Sequence, residues 1–307
     1  MDIRQLQYLV ALAREKHFTR AAQACHVTQP TLSGRIRQLE QELGVPIVER
    51  GHRFVGFTPE GERVLKWARG ILDIWGMLQQ EIASLQADGP LVGRLSVGTI
   101  PTALPMATLV IKALQATHPK IEVTVLSHSS IDILRNLEDF TIDVGLTYLD
   151  NEPIEGMRSE AVYSERYCLL VRRDNPLAGR ESVTWAEAAN QALCLLTPDM
   201  QNRRIIDRAF RAANSAPIPR IETNSVVNLC SSVHLMGLAT VIPEHFLTVL
   251  GPMSDILTVR LTDPVVEHTI GLVAVDRDPI SPLVLAAFEC ARRLERPWQQ
   301  PPAVATR

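Results

Sequence analysis

The segment Phe18–Glu40, FTRAAQACHVTQPTLSGRIRQLE, constrains this chain more than any other. Two short helices joined by a tight turn satisfy its pattern. Phe18, Ala21, Ala22 and Val27 give the first helix an apolar face, and the paired alanines let a neighbouring helix come close. Gln29-Pro30 opens the second, because proline in a first helical turn gives up an N–H that has no intrahelical partner there. Leu32, Ile36 and Leu39 then recur at i, i+4 and i+7 and turn inward, leaving Thr31, Ser33, Arg35 and Arg37 outside. That is the layout of a helix-turn-helix, whose second helix enters the major groove of double-stranded DNA N-terminus first. A plain helical hairpin with a solvated charged face carries similar residues. The next segment favours DNA. Residues 44–58 hold short apolar runs around Arg50-Gly51-His52-Arg53, which suits a β-hairpin wing whose basic tip reaches phosphates or the minor groove.

Charge is distributed to match. The chain of 307 residues has a net charge of −3, yet residues 1–58 carry +3 and leave −6 for the rest. A head so weakly cationic needs a second copy beside it on one DNA site. The stretch after the wing supplies the means. Val64, Ala68, Ile71, Trp75, Leu78, Ile82 and Leu85 step by alternating fours and threes, an a/d seam for a long helix ended by Asp88-Gly89-Pro90. A helix packed on its own domain is the alternative; the narrow stripe favours an inter-subunit seam, with Ile71, Trp75, Leu78 and Ile82 as its core.

Beyond Pro90 strands and helices alternate. Arg94–Thr99, Glu122–Ser127 and Asp143–Tyr148 read as strands separated by helices over Ala103–Ala116 and Ile131–Asp139, the mark of a parallel sheet covered by helices. A second set follows: strands at Arg166–Arg172, Leu193–Leu196, Ile221–Thr223 and Ala239–Ile242, helices at Trp185–Asn190, Arg203–Ala213 and Val226–Met236. The chain then returns through a strand at Ile270–Val275 and a helix at Leu283–Leu294, and the proline-rich tail is expected to be disordered. Two α/β lobes arranged so meet at the carboxyl ends of their strands, where helix N-termini offer free N–H groups to an anion. Thr99, Thr102, Ser127 and Thr147 from one lobe and Thr197 from the other are the chosen contacts, with Ser129, Ser130, Gln201, Asn224 and Ser225 also at strand-to-helix junctions. For any one of them, simple helix capping explains the residue equally well.

These residues together carry a family resemblance. MDIRQLQYLVALA, FTRAAQACHVTQPTLSGRIRQLEQELGVPIVER and FTPEGERVL look like the winged helix-turn-helix of LysR-type transcriptional regulators, and length, linker and C-terminal half also fit. The resemblance implies an α+β multidomain fold: a winged helix-turn-helix over 1–60, a linker and dimerisation helix over 61–88, and over 89–295 a two-lobed effector domain similar to periplasmic binding proteins. Lobe I is expected at about 89–162 and 267–295, lobe II at about 163–266, with crossings near Ala161–Arg166 and Leu261–His268; 296–307 is the tail. It also implies that Gln29, Pro30, Thr31 and Ser33 face bases while Arg35, Arg50 and Arg53 hold the backbone or the flanking minor groove. The expected partners are promoter DNA, a small-molecule effector (a small organic anion suits the hydroxyls and helix N-termini), further copies of the chain as dimer or tetramer, and RNA polymerase. One departure is Gly34, where many members carry a longer, often basic side chain.

Other function classes find little here. The five cysteines, Cys25, Cys168, Cys194, Cys230 and Cys290, lack the C-x-x-C spacing of zinc or dithiol sites, so no metal or cofactor is expected. The eight histidines form no H-E-x-x-H, and there is no G-x-S-x-G, Walker loop or dinucleotide fingerprint, so an enzyme is not expected. No run approaches the roughly 18 apolar residues of a membrane span, and the N-terminus does not read as a signal peptide, which places the protein in the cytoplasm. The competing reading is a ligand-binding or catalytic α/β body with redox-sensing cysteines, Cys194 and Cys230 foremost, and an incidental DNA-binding head.

Overall fold

A computed structural model describes residues 1–49, 54–86, 89–150, 153–246 and 255–294, apart from the side chains of 83–86. The chain divides into two compact units, one of Met1–Gly89 with Glu138–Thr141, the other of Pro90–Leu137 with the remainder from Ile142.

In the first unit, α1 (Ile3–Glu15) starts at a capping box in which Asp2 accepts from the Gln5 amide and Gln5 reaches back. α2 (Phe18–Ala24) and α3 (Gln29–Leu43) follow, α3 capped by Thr28 at one end and by left-handed Gly44 at the other. Tyr8, Leu12, Ala21, Ala22, Leu32 and Ile36 close one small core. A second core joins Leu6, Leu9, Leu39 and Ile47 to Leu65 and Ala68 of α4 (Pro59–Gln86). Among the described residues the arms of the wing meet at a bridge, Val48 opposite Phe57, and through a Glu49 N–H to Gly56 carbonyl bond of 3.1 Å and a Thr58 N–H to Ile47 carbonyl bond of 3.0 Å. Gly61 fixes where α4 leaves the wing, since a Cβ there would lie 2.0 Å from the Ile47 carbonyl oxygen.

The second unit is two-lobed. β1 (Val92–Thr99) pairs in parallel with β2 (Lys120–Ser127) and β3 (Val144–Tyr148). α5 (Leu104–Thr117), entered through a 3-10 turn at Pro101–Ala103, and α6 (Ser130–Glu138) make the crossovers. Expected and observed elements differ here by a few residues at their ends. β4 is the larger surprise. It runs unbroken from Met157 to Arg172, whereas only Arg166–Arg172 reads as strand from its hydrophobicity. Its first half pairs antiparallel with β10 (Glu267–Val275) and its second half with β8 (Thr240–Pro243) and β9 (Ile256–Thr262). Thus β4 serves both lobes, and β10 pairs with it from Arg166 opposite Glu267 back to Met157 opposite Val275. The register slips between Ile270 and Gly271, where a Cβ would meet the Glu160 carbonyl oxygen at 2.6 Å. Among the described residues the sheet order is β2-β1-β3-β10-β4-β9-β5, with β8 added on β4 and β5 at Ser182–Thr184.

The second lobe also holds α7 (Trp185–Ala189), β6 (Cys194–Leu196), α8 (Gln201–Ala212), β7 (Ile221–Thr223) and α9 (Val226–Met236). The buried Arg203 fixes the start of α8 by donating to the Leu196 carbonyl at 2.7 Å and to Glu222 Oε1 at 2.6 Å, with Asp207 also at hand. α10 (Pro282–Arg292) returns to the first lobe, its Leu283, Ala287 and Phe288 sharing a core with Leu95, Val97 and Leu146.

Candidate DNA-binding and effector sites

The start of α3 is built as an exposed recognition end. Thr28 Oγ1 accepts from the Thr31 amide at 3.4 Å and sits 2.8 Å from the Thr31 hydroxyl. Leu32, Ile36 and Leu39 are buried beneath, so Gln29, Pro30 and Thr31 stand exposed on the opposite side, with Ser33 half-buried. Arg35 is exposed; it donates to Gln38 at 3.2 Å and lies 3.6 Å from Asp2, contacts weak enough in water to release for a phosphate. Nothing lies within 4 Å of a Cβ added to Gly34. Arg50 and Arg53 lie outside the described residues.

The expected helical seam divides. Val64, Ala68 and Ile71 belong to the head's own core, with Leu65 and Leu72, because the first turns of α4 cross α1 and close it. Ile71 packs against this core while staying half-buried. Trp75, Leu78 and Ile82 are 40%, 46% and 47% exposed and continue the stripe, with Ile74 beside them.

In the body the expected effector residues differ in burial and in hydrogen bonding. Thr99 is fully buried and donates to the Ile100 carbonyl at 3.2 Å. Thr102 and Thr147 are equally buried, but their hydroxyl oxygens have no partner, nor has Thr197 Oγ1. Ser127 is different: it is exposed at the end of the edge strand β2, so the buried hydroxyls after that strand are Ser129 and Ser130. Ser129 caps α6 and bonds Asp132 at 2.7 Å, and Ser225 caps α9, so capping accounts for both. Ser130 Oγ is buried without a partner.

Gln201 is a junction candidate in the sequence, whereas Asn202, Glu165 and His245 do not stand out there. Gln201 (2% exposed) leaves both side-chain polar atoms unpartnered, and Asn202 (4%) leaves its Oδ1 so. Glu165 is 1% exposed and accepts at Oε1 from Tyr148 at 2.6 Å and Tyr167 at 2.8 Å. Burial pushes its carboxyl up to about 7, against hydrogen bonds from Tyr148, Tyr167 and Tyr163. His245 meets the Tyr163 ring edge-on at 4.6 Å, and burial drives its imidazole down to about 4 despite a hydrogen bond with the Thr102 backbone. Buried polar atoms without partners cost roughly 1–3 kcal/mol each, so each of them calls for a partner. α5 and α8 begin without a side-chain cap, unlike α6, α7 and α9, and α5 continues directly from the 3-10 turn with Pro105 in its first turn.

The five thiols give no sign of activation. Burial raises the pKa of Cys25, Cys168, Cys194, Cys230 and Cys290 alike, Cys168 furthest. Among the described residues no cluster of His, Cys, Asp and Glu is arranged for a metal ion, and no helix is long and apolar enough to cross a membrane.

A helix-turn-helix head followed by a long helix and a two-lobed α/β body is the architecture of a DNA-binding regulator with a separate body domain. Residues 3–62 match the family described as bacterial regulatory helix-turn-helix protein, lysR family, and residues 88–296 match the LysR substrate binding domain. The chain belongs to the LysR family of transcriptional regulators. It is 40% identical over 197 residues to the DNA-binding transcriptional dual regulator OxyR of Escherichia coli K12, a match spanning 64% of each chain. The hydrogen peroxide-inducible genes activator of Haemophilus influenzae is 31% identical over 282 residues, 91% of this chain and 92% of that one. Full-length OxyR C199D of Pseudomonas aeruginosa superposes with a TM-score of 0.76 at 25% identity, covering 96% of this chain and 99% of that one.

Proposed function

We propose that this LysR-family regulator binds promoter DNA through α3 of two or more copies, and that a small polar effector held between the two lobes of the body alters that binding. The observation that carries the effector half is the set of buried, unpartnered groups drawn from both lobes: Thr102, Ser130 and Thr147 on one side, Thr197 and Gln201 on the other. Arg203 is already taken up by Asp207, Glu222 and a carbonyl, so an organic anion is gripped here by hydroxyls, amides and the uncapped starts of α5 and α8. An effector that binds the open and closed lobes equally shifts nothing, so the closed arrangement must hold it better. The protein acts in the cytoplasm, as a dimer or tetramer, and meets RNA polymerase at the promoter rather than turning over a substrate. Gln29→Ala and Ser33→Ala should each abolish preference for the operator while leaving salt-dependent binding to random duplex. Unchanged operator preference in both variants would remove α3 from the interface.

A second reading takes its support from the names of the relatives above, all three of which concern peroxide-inducible activation or OxyR. Thiol-based sensing needs an accessible thiolate, and all five thiols here are pushed towards the protonated form. Exposure to peroxide should therefore leave the thiols unoxidised by mass spectrometry and operator binding unchanged. Stoichiometric oxidation of Cys194 or Cys230 with altered binding would establish the redox reading instead.

A further inference from the structure

Glu165 lies where β4 passes from the first lobe to the second, opposite His268 of β10 in the strand register. Its partners do not all belong to one lobe. Tyr148 ends β3 of the first lobe and donates its hydroxyl hydrogen to Glu165. Asn202, in the first turn of α8 in the second lobe, donates its amide hydrogen to the same Tyr148 oxygen at 3.2 Å. A directed chain therefore runs from Asn202 to Tyr148 to Glu165, and Tyr167 steadies its end. A second tie runs beside it, from His245 of the second lobe to the backbone of Thr102 in the first.

We propose that Glu165 is the positioning residue of a latch between the lobes: by drawing the Tyr148 hydroxyl hydrogen to itself it leaves the phenol oxygen facing Asn202, and so holds the start of α8 against the first lobe. Glu165 acts through Tyr148 and does not itself contact the effector. This rests on the reading above, in which Gln201, beside Asn202, lines the effector site. An ionised carboxylate is a stronger acceptor than a protonated one, so the latch tightens as Glu165 loses its proton.

The groups facing Glu165 leave it the proton-dependent member of the chain. Tyr148, Tyr163 and Tyr167 are held far above their ordinary pKa, chiefly by burial and then by the Glu165 charge. Asp150, just past β3, adds a like charge and is itself 3.2 Å from His268, whose ring meets Tyr148 edge-on. His245 reaches the cluster through Tyr163.

Hydrogen exchange on the full-length protein without any ligand tests the latch. Tyr148→Phe removes one hydroxyl; amides over 201–206 should exchange at least about fivefold faster, while β1 and α10 keep their protection. Asn202→Leu breaks the same bond from the other lobe and should reproduce the pattern should the phenylalanine variant not fold. In the wild type, protection over 201–206, corrected for intrinsic exchange, should rise between pH 6 and pH 8, and in Glu165→Gln it should stay level. Unchanged exchange over 201–206 in the folded variants, or equal loosening of every peptide, would overturn the latch. The effector reading fails separately, if a panel of mono- and dicarboxylic acids leaves operator binding by the wild type untouched.

Discussion

Glu165 and His245 sit in one buried cluster with opposite titration behaviour, and their removal should expose two hidden slopes. The Glu165 carboxyl moves from an ordinary 4.5 up to about 7 on folding. The folded state then binds the extra proton, so its stabilising effect is complete below 4.5 and is lost as pH rises through 7. At roughly 1.4 kcal/mol per tenfold change in proton affinity, the loss is about 3 kcal/mol. The His245 imidazole falls from 6.5 to about 4, so the folded state refuses a proton that the unfolded chain takes. Its contribution is present above 6.5 and is lost as pH falls through 4, again about 3 kcal/mol. In the wild type the two nearly cancel between pH 4.5 and 6.5. Urea unfolding followed by tryptophan fluorescence, repeated from pH 4.5 to 8, reads the difference between variant and wild type. The gap between Glu165→Gln and wild type should grow by about 3 kcal/mol in the variant's favour from pH 4.5 to 7 and then level off. The gap for His245→Gln should move the other way below pH 6.5. Level difference curves for both variants would refute the burial argument for this cluster.

Three further outcomes follow from the packing. Gly34→Ala adds a methyl to open space on an exposed helix, so the head's unfolding free energy should rise by about 1 kcal/mol in a thermal melt. Gly61→Ala drives a Cβ into the Ile47 carbonyl, and the same assay should show a loss of roughly 1–3 kcal/mol or more. Trp75→Ala with Leu78→Ala should weaken self-association in sedimentation experiments and leave the folding of the head intact, whereas Ile71→Ala should destabilise the head first.

The sequence makes the helices, the parallel half of the sheet and the head legible because their cues are local: a cap, a first-turn proline, an apolar row at helical spacing. β4 is harder because its first half, MRSEAVYSE, carries Arg158, Glu160 and the buried Glu165 among few aliphatic residues, and only the fold shows that one strand serves two lobes. β5 and β9 escape the reading altogether, the first because three residues carry too little pattern and the second because it ends at Asp263-Pro264, which reads as a loop. Hydroxyls at strand ends are visible as candidates; Thr102 and Thr147 occupy buried positions, and Thr197 is half-buried with its hydroxyl oxygen covered. Ser127 is exposed, because β2 is the edge strand and its end stays open to solvent. Glu165 leaves no local trace, since its partners come from β3 and from β4 itself, and Asn202 joins only through Tyr148. The seam on α4 is split for a similar reason: an a/d stripe looks the same whether it meets a partner helix or its own domain.

A polar molecule between the lobes is proposed to change how paired heads hold DNA. The direct measurement is a footprint of the full-length protein on the DNA upstream of its own gene, at low ionic strength, with and without a panel of small carboxylic acids. A protected site spanning two half-sites one or more helical turns apart, altered in extent by one of the acids and indifferent to it in Gln201→Ala, is the predicted result. No protection beyond that of random duplex, or a footprint that every compound leaves alone, would contradict it.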